Sequence, residues 1–433
     1  MSRPEAEESP TSPTPETSDE ADVVIVGAGM AGLSCAATLQ DRGHRVVVLE
    51  SQDRVGGRVV TDEIDGYRCD RGFQVLNPAY PQIRSRIDTA TLDLRSFDPG
   101  VLVRTERGLR VVADPRRAPR LLPATLRSGL LDLRDAVAFA RWVAPAMVRP
   151  QRSLTQPDGP LGPMLDQLGA CGDLRRIFDR FMAGVLVDSH GTTSANFARL
   201  LVRSFALGSP GLPAAGMAAL PTQLAAGLTD VRLGHEVESI DSDAGSVAVR
   251  HAGGRITARA VVVAADQQDA ATLLGGAPPD EQPHGLSTWW FAADQAPDDR
   301  RLLAIDARGG DAPPGPVWNC AVVTNVAPEY APAGRHLVQA TTLLDRPDGD
   351  AGEPDVLRHV GEILGCDTSG WHTVTRHRVP RALPAHGPGQ SVAQPVRWDD
   401  GVFLCGDHRD TPSLQGAMAS GERAAAAVHR HLG

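Results

Sequence analysis

The chain has 433 residues, a formal net charge of −10 and a hydrophobic content of 42%, a composition typical of a globular protein with more than one domain. The acidic balance argues against nucleic acid as a partner, because phosphate binding needs a basic surface. All 43 basic residues are Arg and the sequence contains no Lys, which excludes every mechanism that depends on a lysine.

The cysteines and the hydropathy pattern bear on metal, redox and membrane chemistry. None of the six cysteines forms a C-x-x-C pair, so we expect no bound metal and no dithiol redox site. Scattered cysteines are typical of reduced thiols and favour a cytoplasmic location. No apolar run approaches the roughly 20 residues that cross a bilayer, and the N-terminus lacks a signal pattern. Residues 1–20, rich in Glu, Pro, Ser and Thr, predict a disordered tail.

The first ordered segment has the pattern of one βαβ unit. Residues 23–26 form an apolar run typical of a strand buried on both faces, residues 33–41 predict a helix, and residues 46–49 predict a second buried strand. Gly27-Ala28-Gly29-Met30-Ala31-Gly32 connects the first strand to the helix.

Each glycine of this turn has a physical role in binding a dinucleotide. Gly27 allows a tight turn, Gly29 lets the backbone approach a pyrophosphate, and Gly32 lets helix and strand pack closely. The helix N-terminus offers free N–H groups to the phosphates. Glu50 ends the second strand, 18 residues after Gly32, where its carboxylate can accept hydrogen bonds from a ribose.

The next residues decide between FAD and NAD. Ser51 to Arg58 reads SQDRVGGR, and this segment resembles the extended fingerprint of the FAD-dependent amine oxidase, phytoene desaturase and protoporphyrinogen oxidase superfamily. Residues 69–74 (CDRGFQ) resemble the segment that passes the flavin edge in that superfamily. The chain is most similar to its desaturase-like members.

The resemblance implies noncovalently bound FAD and a set of binding residues along the whole chain. It implies a backbone contact to adenine at Val237, ribityl or phosphate contacts at Asp407, and a helix from about Gln415 with its N-terminus towards the flavin. Cys405 is interpreted as a core residue. The predicted cofactor-binding residues are Gly27, Gly29, Gly32, Glu50, Gly57, Arg58, Val237, Gly406, Asp407, Gln415 and Ala417.

The fold class that follows is α/β, with a doubly wound, GR2-like Rossmann-type FAD-binding domain and an interleaved α+β substrate domain. Residues 21–80, 226–279 and 395–433 are assigned to the FAD-binding domain, and residues 81–225 and 280–394 to the substrate domain. Helices are predicted over 132–148 and 173–187. Strands are predicted over 231–237, 247–250, 258–266, 288–293, 317–324 and 336–342.

Several chemistries remain open. Amine oxidases of this superfamily usually place a Lys near flavin N5 and aromatic rings around the amine, whereas this chain has no Lys and only three Tyr. The sequence therefore favours a desaturase, dehydrogenase or isomerase acting on a lipophilic, carotenoid- or terpenoid-like substrate. An amine oxidase or a protoporphyrinogen-type oxidase is the alternative, and a non-catalytic FAD-binding scaffold is an alternative of another class. Oxygen, a quinone or a protein carrier would reoxidise the flavin.

The sequence gives only weak evidence for particular catalytic and substrate-lining residues. His190 and His408 are candidate bases, and Asp188 and Arg409 lie beside them in the sequence. The candidates for lining the substrate cavity are Trp289, Trp290 and Trp318, and the favoured alternative for each of them is packing in the core.

Residues 118–148 mix Leu, Val, Phe and Trp with several Arg, including Arg120, Arg127, Arg134 and Arg141. Such a segment can bury an apolar face in a membrane interface while its Arg side chains meet anionic lipid. The alternative is an ordinary amphipathic helix that covers the substrate domain.

Overall fold

The computed structural model describes residues 18–243, 245–277, 281–310, 312–346 and 350–433. Two sheets dominate it, one of eight strands and one of seven. The strands are β1 Ser18–Val26, β2 Val46–Leu49, β3 Thr61–Ile64, β4 Tyr67–Asp70, β5 Leu94–Ser96, β6 Gly100–Thr105, β7 Gly108–Ala113, β8 Gly211–Pro213, β9 Val231–Arg232, β10 Val237–Asp243, β11 Ser246–His251, β12 Gly254–Val263, β13 His284–Ala293, β14 Leu303–Asp306, β15 Val317–Val322, β16 His336–Leu343, β17 His372–Leu383, β18 Arg397–Asp399 and β19 Val402–Leu404.

Most of the helices cover the sheets or stand between them. They are α1 Met30–Gln40, α2 Pro81–Arg86, α3 Leu122–Arg127, α4 Leu133–Val148, α5 Pro150–Ser153, α6 Leu161–Gln167, α7 Asp173–Leu186, α8 Ala195–Leu207, α9 Ala219–Ala225, α10 Gln267–Leu273, α11 Val323–Val326, α12 Glu353–Leu364 and α13 Leu414–Leu432. Short 3-10 turns lie at Pro119–Leu121, Pro328–Tyr330 and Asp407–Arg409.

The eight-stranded sheet has a parallel centre. β1 pairs in parallel with β2 on one side and with β12 on the other, and the end of β12 pairs in parallel with β19. Their central segments, residues 23–26, 46–49 and 260–263, are apolar runs because helices or other strands cover both of their faces. Helix α13, the last element of the chain, packs against α1, where Gly421 brings it close to the Ala31 carbonyl oxygen. The result is the Rossmann-type α/β architecture that the sequence predicts.

The seven-stranded sheet has the order β17-β13-β16-β15-β14-β6-β7. Its strands are mostly antiparallel, with β14 and β6 as a parallel pair. One face is covered by α12, whose Val356 and Val360 belong to the same core as Trp289 and Phe291 of β13. The opposite face is directed towards the first sheet, and α7 packs against β14 and β15.

Several helices and strands begin or end at residues other than those predicted from the sequence. The predicted helix over 33–41 begins earlier, at Met30. The strand predicted over 317–324 ends at Val322, because Val323–Val326 form a helical turn, and the strand predicted over 258–266 ends at Val263. The segment 231–237 is two strands separated by a turn.

The predicted disordered tail is wrong at its end, since residues 18–20 belong to β1 and pair with β12; residues 1–17 lie outside the described residues. The strands of the first sheet fall within residues 18–49, 231–263 and 397–404. The limits of the two domains stay a prediction. Within the described ranges, no helix is long and apolar enough to cross a membrane.

Candidate active site

A large cavity of about 1280 Å³ lies between the two sheets. One part of its wall comes from the ends of β1 and β2, the start of α1 and the start of α13. Much of the rest comes from α7, α8 and the second sheet. Single ligand sites measure about 300–1,000 Å³, so the cavity has room for a cofactor and a second molecule.

The N-terminus of α1 is directed into this cavity. Gly27, Gly29 and Met30 line the wall, and no side chain caps the first turn of the helix. A Cβ atom added at Gly29 would meet nothing within 4 Å, whereas one at Gly32 would clash with the Gly27 carbonyl oxygen. Free N–H groups facing open space are what a pyrophosphate requires, and Gly32 has the packing role predicted for it.

Glu50 lies beside this helix end, at the cavity wall and 6% exposed. Its Oε2 accepts a hydrogen bond of 2.7 Å from the Ala28 N–H, and its Oε1 accepts one of 2.9 Å from the Gln52 N–H. The carboxylate therefore holds the turn in place while facing the cavity. Val237, at the start of β10, lines the same region.

Arg58 and Asp407 close the cavity as an ion pair. The Arg58 Nη2 atom lies 2.6 Å from Asp407 Oδ2, and its Nη1 donates to the Ala382 carbonyl oxygen at 2.6 Å. The charge of Arg58 is thus already balanced within the protein. Gly57 and Gly406 line the wall beside the two residues.

Helix α13 reaches the cavity with its first turn. Ser413 caps the helix by accepting a hydrogen bond from the Gly416 N–H, and Leu414 and Ala417 line the wall. Gln415 does not line the cavity, because its side-chain amide is paired with that of Gln82. The position of the Gln415 side chain therefore does not support its predicted role in binding the cofactor.

The wall that α7 and α8 contribute is apolar, and we call it the apolar chamber. Its aromatic side chains include those of Phe178, Phe181 and Phe205. The ring centroids of Phe181 and Phe205 are 5.4 Å apart in an edge-to-face arrangement. The apolar chamber is formed by Phe97, Leu174, Ile177, Phe178, Phe181, Leu201, Val202 and Phe205.

Comparison with known proteins identifies the family. The sequence model of the family described as flavin containing amine oxidoreductase matches residues 30–429. The chain belongs to this family.

Curated relatives match over short stretches. The L-amino-acid oxidase of Bungarus fasciatus is 46% identical over 84 residues, which are 19% of this chain and 16% of the relative. The putrescine oxidase of Kocuria rosea is 44% identical over 78 residues, 18% and 16% of the two chains. The 15-cis-phytoene desaturase of Narcissus pseudonarcissus is 31% identical over 166 residues, 34% and 28%. The matches thus span less than a third of the length of each of these three relatives.

Solved structures share the fold over nearly the whole chain. A candidate protoporphyrinogen oxidase from Exiguobacterium sp. 255-15 has a TM-score of 0.70 at 20% identity and covers 96% of this chain and 99% of its own. An oxidoreductase from Methanosarcina mazei has a TM-score of 0.71 at 18% identity, covering 93% and 99%.

Family membership confirms the cofactor as FAD. The open space at Gly29, the uncapped first turn of α1 and the buried carboxylate of Glu50 fit the pyrophosphate and ribose of such a dinucleotide. Cys405 is fully buried against Cys35, beneath the site, in agreement with its interpretation as a core residue. No group of His, Cys, Asp or Glu in the described ranges could hold a metal ion.

Trp289, Trp290 and Trp318 do not line the cavity and pack in the core instead, which is the alternative role given for them above. Trp289 faces α12 and donates to Thr342 Oγ1, and Trp290 donates to the Asp70 carbonyl oxygen. Trp318 packs with Leu286 and Leu343 in a separate core cluster.

The four weak catalytic candidates also lie off the cavity wall. Asp188 accepts hydrogen bonds from the N–H groups of His190 and Thr193, so this segment is a turn held by a carboxylate. Arg409 donates to the Pro395 carbonyl oxygen. His408 lies behind the Arg58–Asp407 pair, and burial lowers its pKa to about 4, which makes it a poor base near neutral pH.

The sequence did not single out the residues of the apolar chamber, nor Asn319 and Thr341 of the second sheet, which also line the cavity. Phe178 and Phe181 are three residues apart on α7, a spacing that equally describes a buried helix face. Only the fold, which places both residues on the cavity wall, distinguishes them from core residues.

Proposed function

We propose that this chain is an FAD-dependent oxidoreductase that desaturates, dehydrogenates or isomerises a lipophilic, carotenoid- or terpenoid-like substrate by hydride transfer to flavin. The observation that carries the proposal is the apolar chamber, which adjoins the FAD wall in one continuous cavity. Burial of apolar surface supplies the affinity for such a substrate.

Two carboxylates of the cavity wall, Asp98 and Asp114, do not favour a cationic substrate. Asp98 accepts hydrogen bonds from Arg120 at 2.5 Å and from Arg301 at 3.0 Å. Asp114 is paired with Arg116 at 2.8 Å. Because both carboxylates are neutralised by Arg, neither offers a free partner to an ammonium group.

The residues of the chain bind, orient and exclude water in this proposal. FAD, when bound, supplies the hydride acceptor. The turn at Gly27 and Gly29 and the carboxylate of Glu50 hold the dinucleotide, while α7 and α8 keep water from the substrate. Oxygen, a quinone or a protein carrier then takes the electrons.

An amine oxidase or a protoporphyrinogen-type oxidase is the second candidate. The similarity to a putrescine oxidase at 44% identity over 78 residues favours it. The absence of Lys from the sequence weighs against the usual amine oxidase site.

We further propose that the substrate arrives from an anionic membrane surface. Leu126, Leu131 and Leu133, in and between α3 and α4, are 64%, 48% and 79% exposed. Arg120, Arg127, Arg134 and Arg141 are exposed in the same segment of the chain. Exposed apolar side chains with Arg in the same segment are suited to an interface of anionic lipid. Phe139 and Trp142 of α4 contact Phe178 of the apolar chamber, which links this surface to the cavity.

Bleaching of the flavin band tests the function. The purified holoprotein is mixed anaerobically with amines, porphyrinogens, steroids and carotenoids in turn. We expect bleaching by a carotenoid, terpenoid or steroid. Bleaching by amines alone would assign the second candidate, and an unbleached flavin with every compound would favour the scaffold.

A pair of variants on α8 locates the binding site. Leu201 lines the apolar chamber, whereas Leu207 on the same helix is 47% exposed. Burying an unpaired amide costs about 1–3 kcal/mol. Leu201→Gln should therefore raise the concentration of lipophilic substrate needed for half-maximal bleaching, and Leu207→Gln should not.

A further inference from the structure

A row of polar side chains crosses the cavity-facing side of the second sheet. Asn319 of β15 is paired with Thr341 of β16, Thr341 with Thr288 of β13, and Thr288 with His377 of β17. Directly paired residues of antiparallel strands share one face of the sheet. Asn319 and Thr341 line the cavity. We call these four residues the polar row.

The polar row contains buried atoms without a hydrogen-bond partner in the protein. They are Asn319 Oδ1, Thr288 Oγ1 and His377 Nδ1. Gln339, which donates to Thr341 Oγ1 at 2.6 Å, adds its own unpartnered Oε1. Buried polar atoms are almost always hydrogen-bonded, so neighbouring atoms without partners indicate bound water. Cβ atoms of paired residues lie about 4.5–5.5 Å apart, a spacing that one water can bridge.

The row ends at a charged pair near the surface. His377 Nε2 lies 2.9 Å from Asp62 Oδ2, and Asp62 accepts two hydrogen bonds from Arg71, at 2.7 and 2.9 Å. Since an ionised carboxylate only accepts, Nε2 carries the proton and Nδ1 has a free lone pair. Burial lowers the pKa of His377, whereas the charge of Asp62 and hydrogen bonds to Asp62 and to the backbone of Asp70 oppose this effect.

We propose that the polar row, with water between its members, carries the proton released by substrate oxidation from the cavity to His377 Nδ1. This rests on the proposed function. The substrate loses one hydrogen with its electron pair to FAD, the oxidant. A second hydrogen leaves as a proton, and the electron pair of its broken bond forms the new double bond. The proton passes through Thr341 and Thr288 to His377, where Asp62 stabilises the imidazolium.

Three titratable residues of the cavity wall are poor acceptors for this proton. Burial raises the pKa of Tyr80, which also lines the cavity, to about 12, so its hydroxyl stays neutral. Asp98 and Asp114 are paired with Arg side chains. His377 is therefore a relay residue that acts through the threonines, without touching the substrate.

A high-resolution crystal structure of the holoprotein tests the row without any substrate. We expect ordered water within hydrogen-bond distance of both Thr288 Oγ1 and His377 Nδ1. A dry row, with these atoms bonded to protein groups instead, would overturn the proposal.

Stopped-flow bleaching tests the relay with whichever compound bleaches the wild-type flavin. Loss of acid–base assistance typically costs 10²-fold or more, so His377→Ala and Thr288→Val should each slow bleaching about 10²-fold without changing the half-saturating concentration. Added imidazole should restore the rate of His377→Ala. Thr342→Val is the matched control, since Thr342 lies on the opposite face of β16 and accepts from Trp289.

The outcomes separate the two proposals. If the wild-type flavin bleaches and both row variants match Thr342→Val, the relay is wrong while the proposed function stands. If no compound bleaches the wild-type flavin, the proposed function fails. The crystal structure of the holoprotein then shows by itself whether ordered water connects the members of the polar row.

Discussion

Gly29 combines an ordinary backbone conformation with open space where a side chain would point. Its φ is −73°, so the fold tolerates other residues there. Gly29→Val should leave an intact protein that no longer binds FAD, because the branched side chain would occupy the pyrophosphate position. FAD content and the far-ultraviolet circular dichroism spectrum measure the two properties.

Gly370→Val is the matched control, since a Cβ at this exposed glycine also meets nothing within 4 Å. It should bind FAD like the wild type. A yellow Gly29→Val protein would show that the pyrophosphate lies elsewhere.

Glu50 is predicted to hold the ribose of the adenosine half, far from the reacting atoms. Glu50→Ala removes hydrogen bonds to a charged group, worth about 1.5–3 kcal/mol, and should weaken FAD binding accordingly in a fluorescence titration. The substitution also leaves the Ala28 N–H without its hydrogen-bond acceptor, which further weakens FAD binding. Turnover that disappears even at saturating FAD would contradict the ribose assignment.

At the scale of elements, α12 is joined to the second sheet by a buried ion cluster. His359 donates from Nε2 to Asp306 at 3.0 Å and accepts the Val317 N–H on Nδ1, and Arg308 adds a contact of 2.7 Å to Asp306. Burial raises the pKa of Asp306, but the hydrogen bonds from His359 and Arg308 outweigh it and lower the pKa to about 2.

A carboxyl group with a lowered pKa stabilises the fold above its unfolded value, near 3.9, and loses that contribution as the pH falls towards 2. Asp306→Asn should therefore reduce the free energy of unfolding at pH 7 by about 2 kcal/mol. In urea titrations, the difference in free energy of unfolding between the variant and the wild type should become smaller between pH 4 and pH 2. Asp400→Asn, on an exposed side chain, is the control; a gap independent of pH would contradict the mechanism.

Helices α3 and α4 present the surface proposed for the membrane. The wild type should float with anionic liposomes at low salt and sediment at high salt. Leu131→Asp with Leu133→Asp should abolish flotation, because both side chains are exposed. Leu130 is unsuitable for this test, since it is 8% exposed and packs in the core. A wild type that stays at the bottom of the gradient at low salt would end the membrane proposal.

The sequence predicted the elements whose environment is uniform. Residues 23–26 of β1 and the whole of β2 are buried on both faces, so an apolar run was enough to locate them. It missed β17, because that strand alternates Arg, His and Thr with Val and its edge lies half in solvent. It could not place the tryptophans, because the period of two assigns each residue to a face but does not show what covers that face. Trp289 meets α12, whereas Trp290, on the other face of β13, is covered by the segment of Asp70.

The whole molecule should carry one FAD. Purified protein should be yellow, and acid precipitation should release all the flavin as FAD, since Cys405 is buried in the core and unavailable for a covalent link. The flavin in the supernatant, identified by chromatography, measures this. Flavin retained in the pellet, or FMN in the supernatant, would contradict noncovalent FAD.

The pairing of β1 with β12 and of β12 with β19 has a consequence for biosynthesis. The centre of the first sheet joins strands that begin at Ser18, Gly254 and Val402. On the ribosome, residues 18–49 emerge long before β19 and α13, which begin at Val402 and Leu414, can cover them. Such long-range pairing folds slowly and leaves strand edges exposed in the meantime. We therefore expect the nascent chain to depend on chaperones until α13 has been synthesised, and truncation within α13 should yield aggregates.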